Sequence, residues 1–222
     1  MIGLIRVFTA EDPNIIAEHG NIVSKLYGIP VISRCIPDQP KGIYDEETEA
    51  IAVPKIVELG KAMEQEGCKV LLISCAADPG LELLRRNVSI PVIGAGSAAA
   101  LIALAAGERV GAMGITESIP PAVGRVLGDL LVGYIQPEGV TNTTDLLTES
   151  GRTQALEAAR SLVSQGSKAI VFACTGFSTI GFADVLRKEL QVPVIDAVEA
   201  EGLFASSLYR WQSPESTDLL RD

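Results

Sequence analysis

The sequence repeats itself at about half its length, and this repeat limits the fold more than any other feature. Lys69–Cys75 (KVLLISC) and Lys168–Cys174 (KAIVFAC) align, and their cysteines stand 99 positions apart (174 − 75). Each is followed by a loop of small residues, a helical pattern and a short strand, Ile90–Ile93 or Val192–Ile195. A period close to half of the chain indicates duplication of one supersecondary unit.

Each half has the alternation of an α/β fold. Four apolar runs in each half are predicted as strands, near 2–8, 30–35, 69–74 and 91–94, and near 108–114, 131–135, 168–173 and 193–196. The runs are continuous rather than alternating, as in parallel strands covered on both faces. The pattern predicts two pseudo-symmetric doubly wound lobes, each a roughly four-stranded parallel sheet flanked by helices. We place the lobes at 1–97 and 98–198, and leave open a return of the C-terminal helix, 199–222, to the first lobe.

The charge, the N-terminus and the cysteine count exclude several classes of protein. A formal net charge of −10 argues against nucleic-acid and anionic-membrane partners, because both need clustered Lys and Arg. The first strand begins at once without a basic leader, and proline and glycines break the uncharged stretch 87–107. We therefore expect an unprocessed cytoplasmic protein without a membrane span. Four cysteines without CxxC spacing and one histidine, His19, predict free thiols and no metal site.

Cys75 and Cys174 are the strongest candidates for catalysis because each follows a strand of the repeat. The functional crevice of an open parallel sheet lies beyond the carboxyl ends of its strands. Asp78-Pro79 has the pattern of a helix N-cap, Ser178 or Thr179 would cap the equivalent helix, and a thiol near a helix N-terminus has a lowered pKa. A pseudo-twofold axis would place the thiols on opposite sides of a ligand, where one removes a proton from carbon and the other returns one.

Proton transfer of this kind forms an enolate, whose oxygen needs hydrogen-bond donors. The candidate donors are the backbone N–H groups of Ala76, Ala77, Thr175 and Gly176, and the hydroxyls of Thr9, Thr116 and Thr175. Cys35 and Cys68 have no partner in the repeat and are interpreted as structural, and His19 is interpreted as solvated. We expect a small-molecule substrate and leave a homo-oligomer open, and the segment 139–149 receives no role.

The two cysteine motifs carry a family resemblance. Ser74–Leu81 (SCAADPGL) together with Ala173–Ser178 (ACTGFS) resembles the Asp/Glu/hydantoin racemase superfamily, and most of all its hydantoin racemase branch. The resemblance covers nearly the whole chain and implies a cleft between two lobes and two-base racemisation without metal or cofactor. By position, it implies that Cys75 and Cys174 are the catalytic pair and that the substrate contacts come from Thr9, Thr116, Ile43 and Tyr44. Asp196, after the final strand, also matches, and its role stays open.

The chain departs from the glutamate racemases at two points. Gly176 and Phe177 stand where those enzymes carry a histidine, and Thr9 stands where they carry an acidic residue. Ala76 stands where the hydantoin branch commonly has an aromatic residue. The first two departures disfavour glutamate, and Ala76 implies a pocket that differs from that of the branch. Few charged residues lie near the predicted strand ends, which favours a neutral or weakly charged carbon acid next to a carbonyl, such as a 5-substituted hydantoin or a related amino-acid derivative.

Three other interpretations stay open. Gly94–Ala99 (GAGSAA) fits a dinucleotide-binding pattern between a strand and a helix. Two lobes around a cleft also suit a non-enzymatic ligand-binding protein, or a thiol redox sensor that joins Cys75 to Cys174. Finally, the superfamily includes cysteine-dependent isomerases and decarboxylases. A decarboxylase needs only one protonating cysteine, so the presence of two favours a racemase.

Overall fold

The computed structural model describes residues 1–211, which form two four-stranded parallel sheets with helices between the strands. The strands are β1 (Ile2–Arg6), β2 (Val31–Cys35), β3 (Val70–Ile73), β4 (Val92–Gly94), β5 (Val110–Met113), β6 (Leu131–Ile135), β7 (Ala169–Phe172) and β8 (Val194–Ile195). The helices are α1 (Pro13–Tyr27), α2 (Glu46–Gln65), α3 (Leu81–Asn87), α4 (Ala95–Ala106), α5 (Pro121–Leu127), α6 (Glu149–Ser164), α7 (Gly176–Thr179), α8 (Phe182–Leu190) and α9 (Ala197–Trp211). Short 3₁₀ turns lie at Gly128–Leu130 and Asp145–Leu147.

The two sheets have the same strand order, β2-β1-β3-β4 in the first and β6-β5-β7-β8 in the second. Their central pairs are in equivalent register, since Ile2 lies opposite Val70 and Val110 lies opposite Ala169. Strands β1, β3, β5 and β7 are buried along their whole length, whereas the edge strands β2 and β6 are partly buried. The prediction of two duplicated parallel α/β sheets is therefore confirmed.

An arginine holds the last strand of each sheet in the same way. Arg85 of α3 donates from Nε and Nη2 to the carbonyl oxygen of Val92 in β4, at 3.1 and 3.0 Å. Arg187 of α8 donates from Nη2 to the carbonyl oxygen of Val194 in β8, at 2.8 Å. The duplication thus extends from the order of the strands to individual side-chain hydrogen bonds.

The described chain divides into two compact units. One comprises residues 1–74, 79–93 and 201–211, and the other comprises 75–78 and 94–200. The first core is aliphatic, whereas the second contains Phe172, Phe177 and Phe182 with ring centroids 4.9 to 6.5 Å apart. The sequence-based limits of 1–97 and 98–198 did not anticipate that the loop of Cys75 would belong with the second unit. Helix α9 passes from the second unit to the first, and residues 212–222 of the predicted C-terminal helix lie outside the described residues.

The uncharged stretch 87–107 forms β4 and α4 rather than one long helix. One face of α4 is buried through small residues such as Ala98, Ala99 and Ala103, while Leu101 is exposed. Within residues 1–211, no helix combines the length and the apolar character that crossing a membrane requires.

Asp78 holds the loop that follows β3. Its backbone is left-handed (φ 53°), which aspartate tolerates better than most residues, and its N–H donates to the Cys75 carbonyl oxygen at 3.0 Å. Its carboxylate accepts the N–H groups of Gly96 and Ser97, both at 2.8 Å, at the N-terminus of α4. The prediction that Asp78 caps the helix directly after it is therefore wrong. Helix α3 begins after Gly80 without a side-chain cap, and Asp78 caps α4 instead.

Two positions at the start of α4 must be glycine because the loop from Cys75 to Asp78 packs closely against them. A β-carbon at Gly94 would overlap the Asp78 carboxylate, and one at Gly96 would overlap the Ala76 carbonyl oxygen. Close packing thus explains the glycine-rich pattern. Because the Asp78 carboxylate already occupies the N–H groups that would bind a phosphate, the pattern gives no support to a dinucleotide site.

The second half caps its last helix with different residues. Asp196, directly after β8, accepts the N–H groups of Val198 and Glu199 at 2.8 and 3.1 Å and so caps α9. Ser178 donates its hydroxyl to the same Asp196 oxygen at 2.7 Å. The predicted caps Ser178 and Thr179 are therefore wrong, since α8 begins after Gly181 without a side-chain cap.

We expect Asp78→Ala to lower the free energy of unfolding by about 1–2 kcal/mol, because it removes the capping carboxylate of α4. Urea denaturation followed by circular dichroism measures the change. Asp129→Ala serves as the matched control, since Asp129 is exposed, and it should change stability by less than about 0.5 kcal/mol. Equal effects of the two substitutions would contradict a capping role for Asp78.

Candidate active site

Cys75 follows β3 in a tight turn that the Asp78 N–H closes onto the Cys75 carbonyl. The Cys75 side chain is partly exposed. Ala76 is buried, with its carbonyl against Gly96, and Ala77 is partly exposed. The N–H groups proposed as enolate donors on this side, those of Ala76 and Ala77, thus lie in a loop whose shape is fixed by Asp78 and α4.

Cys174 occupies the equivalent place after β7, but its environment is different. Its side chain is only 8% exposed, and the Gly176 N–H donates to Sγ at 3.3 Å. Burial raises the pKa of the Cys174 thiol to about 11, and the hydrogen bond from Gly176 opposes that rise only in part. The expectation that a thiol in this loop has a lowered pKa is therefore wrong for Cys174.

The segment 139–149 forms a wall beside the Cys174 loop. Gly176 is packed so closely against it that an added β-carbon would lie 2.9 Å from Thr143 Cγ2 and 3.2 Å from Leu146 Cδ1. The segment is held in shape by Asp145, whose Oδ2 accepts the N–H groups of Thr141 and Asn142 at 2.9 and 3.2 Å. This segment, which received no role in the sequence analysis, therefore contributes to the burial of Cys174.

Thr116 and Tyr134 form a second polar group in the same unit. The Thr116 hydroxyl donates to the Ser118 carbonyl at 2.8 Å, and the Tyr134 hydroxyl donates to the Thr116 carbonyl at 2.7 Å. Burial raises the pKa of Tyr134, and the negative charge of a Cys174 thiolate would raise it further. Sequence reasoning missed Tyr134, because the continuous apolar pattern of β6 does not indicate which side chains lie near a cysteine.

Three predicted substrate-contact residues, Thr9, Ile43 and Tyr44, lie in the first unit. The Thr9 hydroxyl donates to the Ile36 carbonyl at 2.8 Å and accepts the Gln39 N–H at 2.7 Å. Ile43 is partly buried, whereas the Tyr44 side chain is 45% exposed. The hydroxyl protons of Thr9 and Thr116 are thus both directed at backbone carbonyls.

The remaining predicted residues belong to the second unit, which contains Cys75, Ala76, Ala77, Thr116, Cys174, Thr175 and Gly176. Helix α4 connects the two cysteine loops within that unit. Its N-terminus binds the Asp78 carboxylate, and its body packs on β7, the strand that leads to Cys174. In residues 1–211, no group of three or more His, Cys, Asp or Glu side chains is arranged to hold a metal ion.

His19, Ser74 and Glu201 form a buried hydrogen-bonded chain whose central residue, Ser74, directly precedes Cys75. Ser74 Oγ donates to Glu201 Oε1 at 2.6 Å, and His19 Nδ1 lies 2.9 Å from the same Ser74 oxygen. Because His19 is only 1% exposed, its interpretation as a solvated side chain is wrong. Desolvation lowers the pKa of His19 well below its usual value, and the charge of Arg6 lowers it further. His19 is therefore neutral at pH 7.

Comparison with known proteins identifies the family of the chain. The family described as Asp/Glu/hydantoin racemase matches residues 24–201. A hydantoin racemase from Pseudomonas sp. (strain NS671) is 30% identical over 179 residues, which cover 76% of this chain and 70% of that protein. A hydantoin racemase from Paenarthrobacter aurescens is 31% identical over 194 residues, which cover 80% and 78% of the two chains.

The fold is also similar to that of a solved racemase. The structure of an allantoin racemase from Klebsiella pneumoniae superposes with a TM-score of 0.78 at 26% identity, covering 95% of this chain and 87% of the other. The chain therefore belongs to the Asp/Glu/hydantoin racemase family and is an enzyme of the racemase class.

Proposed function

We propose that the chain is a cofactor-independent racemase or epimerase in which Cys75 and Cys174 are the two bases. Its substrate would be a carbon acid next to a carbonyl, such as a 5-substituted hydantoin. The observation that carries this proposal is that each half of the duplicated fold has a cysteine two residues after the end of its third strand. Similarity to hydantoin and allantoin racemases supports it.

The different environments of the two thiols suggest how the reaction starts. With a pKa of about 11, Cys174 is almost entirely a thiol at pH 7, with about one molecule in 10⁴ deprotonated. We infer that the more exposed Cys75 acts first as thiolate base. It takes the proton from carbon while Cys174 donates its proton to the opposite face, which leaves a Cys75 thiol and a Cys174 thiolate.

The Gly176 N–H has a more specific role in this scheme than the sequence indicated. It already donates to Cys174 Sγ, so it would stabilise the thiolate that forms when Cys174 gives up its proton. The N–H groups of Ala76, Ala77 and Thr175 remain the proposed donors to the enolate oxygen. Substrate contacts from Thr9, Thr116, Ile43 and Tyr44 also remain proposals.

The surroundings of Cys174 favour a substrate of low charge. The thiol belongs to an apolar cluster that includes Met113, Leu146, Phe172 and Phe177. Placing an ionised carboxylate there would require a compensating cation or several donors. A hydantoin carries no full charge, and its C5 carbanion is delocalised into the adjacent ring carbonyl, so weak sulfur bases suffice.

The first test follows separate enantiomers of a 5-alkyl hydantoin in deuterated water, with an enzyme-free blank for spontaneous exchange. We expect Cys75→Ser and Cys174→Ser each to lower the racemisation rate by about 10²-fold or more, because each removes one acid–base group. Each variant should retain deuterium exchange at C5 for one enantiomer only. Optical rotation and mass spectrometry measure the two processes.

Cys35→Ser is the matched control, because Cys35 is a partly exposed thiol outside the predicted pair, and it should racemise like the wild type. Full racemisation by either Cys75→Ser or Cys174→Ser would refute the two-base mechanism. A wild-type protein that neither racemises nor exchanges the compound would refute hydantoin as the substrate.

The second test concerns the raised pKa of Cys174. The folded protein keeps this thiol protonated up to about pH 11, whereas an unperturbed thiol titrates near 9.0, so stability should fall as pH rises from 9 to 11. The contribution of Cys174 to that fall should be roughly 2–3 kcal/mol. Urea unfolding at pH 8, 9, 10 and 11, comparing wild type with Cys174→Ala, isolates it from other groups. A constant difference between the two proteins across this range would contradict the raised pKa.

A further inference from the structure

The hydrogen-bonded chain of His19, Ser74 and Glu201 joins three elements at the base of the Cys75 loop. His19 lies on α1, Ser74 directly follows β3, and Glu201 lies on α9. All three side chains are at most 2% exposed. Ser74 is also the last residue of the first unit before the chain enters the second, and Glu201 is the residue at which the chain returns.

The direction of these hydrogen bonds follows from the available protons. A serine hydroxyl has one proton, which Ser74 gives to the acceptor-only carboxylate of Glu201. The neutral His19 must therefore carry its proton on Nδ1 and donate it to Ser74 Oγ. A charge-assisted hydrogen bond of 2.6 Å thus ends a directed chain that runs from the histidine to the carboxylate.

Arg6 balances the charge of this chain. Its guanidinium is 4% exposed, donates to the Ile15 carbonyl at 2.9 Å and stacks over the Phe8 ring at 4.8 Å. Burial lowers the pKa of Arg6, and the nearby negative charges of Glu18, Cys35 and Glu201 partly offset that lowering. A buried guanidinium and a buried carboxylate carry a large desolvation cost, so apolar residues of equal size would suit the core at least as well.

Within the described residues 1–211, the second half of the repeat has the same fold without an equivalent hydrogen-bonded chain of side chains. The residue equivalent to Ser74 is Ala173, which directly precedes Cys174 and has no hydroxyl. The second sheet nevertheless has the same strand order and the same central register as the first. The polar chain therefore belongs to the Cys75 side alone.

The backbone hydrogen bond of Ser74 indicates how the hydrogen-bonded side chains could influence Cys75. The Ser74 N–H donates to the Ile5 carbonyl at 3.0 Å, which continues the sheet hydrogen bonds one residue past the end of β3. The next residue is Cys75, whose side chain is partly exposed in a turn. Anchoring the Ser74 side chain from both sides fixes the peptide between residues 74 and 75, and with it the direction of the Cys75 Cα–Cβ bond.

We propose that Ser74, His19 and Glu201 are positioning residues that hold the Cys75 thiol in place for proton transfer. This inference rests on the proposed role of Cys75 as a base. Cys174 does not use such an anchor, since the wall of segment 139–149 packs against its loop instead. Loss of the anchor should therefore affect only the steps in which Cys75 takes or gives a proton.

The test uses Ser74→Ala, which removes the central hydroxyl, and Ser74→Thr, which keeps one. The first measurement is the rate at which iodoacetamide alkylates each cysteine, resolved by mass spectrometry without substrate. Ser74→Ala should raise the rate at Cys75 at least threefold, because a loosened turn exposes the partly buried thiol more often. The rate at Cys35 should stay unchanged, and Ser74→Thr should resemble the wild type. If Ser74→Ala does not fold, His19→Leu removes the hydrogen bond from His19 to Ser74 while keeping the Ser74 hydroxyl, and it should raise the rate at Cys75 about twofold.

The second measurement is the ratio of C5 deuterium exchange to inversion for each hydantoin enantiomer in deuterated water. For the enantiomer that Cys174 deprotonates, Cys75 must protonate the carbanion. Ser74→Ala should therefore raise this ratio at least threefold for that enantiomer. For the other enantiomer, exchange without inversion requires Cys75 to return the deuteron, so the ratio should fall or stay level and should not rise. A loss of folded protein does not change a ratio measured within one sample. Ser33→Ala, which removes another buried hydroxyl of the first unit, is the control and should leave both ratios unchanged.

The outcomes separate this inference from the racemase proposal. An unchanged rate at Cys75, or equal increases at Cys35 and Cys68, would mean that the chain stabilises the fold without positioning Cys75. Equal changes of the exchange ratio for both enantiomers would overturn the inference as well. If the wild type shows no exchange with any carbon acid, the racemase proposal fails, while the alkylation rates still decide whether the chain holds the Cys75 loop.

Discussion

The Asp78 carboxylate at the N-terminus of α4 is the interaction on which the candidate site depends. The carboxylate accepts two N–H groups of α4 and lies at the end of the helix where the dipole favours negative charge. The Asp78 N–H closes the turn that contains Cys75. A β-carbon at Gly94 would overlap the Asp78 carboxylate, and one at Gly96 would overlap the Ala76 carbonyl oxygen of the same loop. Since α4 also packs on the strand leading to Cys174, the same helix supports both cysteine loops.

Duplication has preserved the scaffold while the details of the two halves have diverged. The first half takes its capping carboxylate from the loop after β3, whereas the second takes it from Asp196 after β8 and adds the hydroxyl of Ser178. The capping function is thus conserved even though the residue that performs it has moved along the chain. The same divergence gives the two thiols different surroundings, one partly exposed in a turn and one buried beside the segment 139–149.

The sequence predicts the sheets well because strand position depends on local patterns. Each predicted strand is found within about two residues of its expected limits, since continuous apolar runs between glycines and helical patterns leave few alternatives. The cap of Asp78 could not be found this way, because its partners lie 18 and 19 residues further along the chain. The interpretation of His19 as solvated failed for the same reason, since its hydrogen-bond partner Ser74 lies 55 residues away along the chain.

The raised pKa of Cys174 is compatible with a two-base reaction and gives it a starting direction. A racemase needs one thiolate and one thiol at any moment, so a thiol that holds its proton up to about pH 11 is suited to be the resting acid. Proton return is then fast only if the carbanion is basic enough to take a proton from so weak an acid, and only if the thiolate left behind is stabilised. The Gly176 N–H can supply that stabilisation to Cys174, while in our proposal the hydrogen bonds of Ser74 align Cys75. Under the proposed mechanism, the two halves of the repeat would prepare the same amino acid for proton transfer by different means, one through burial and the other through positioning.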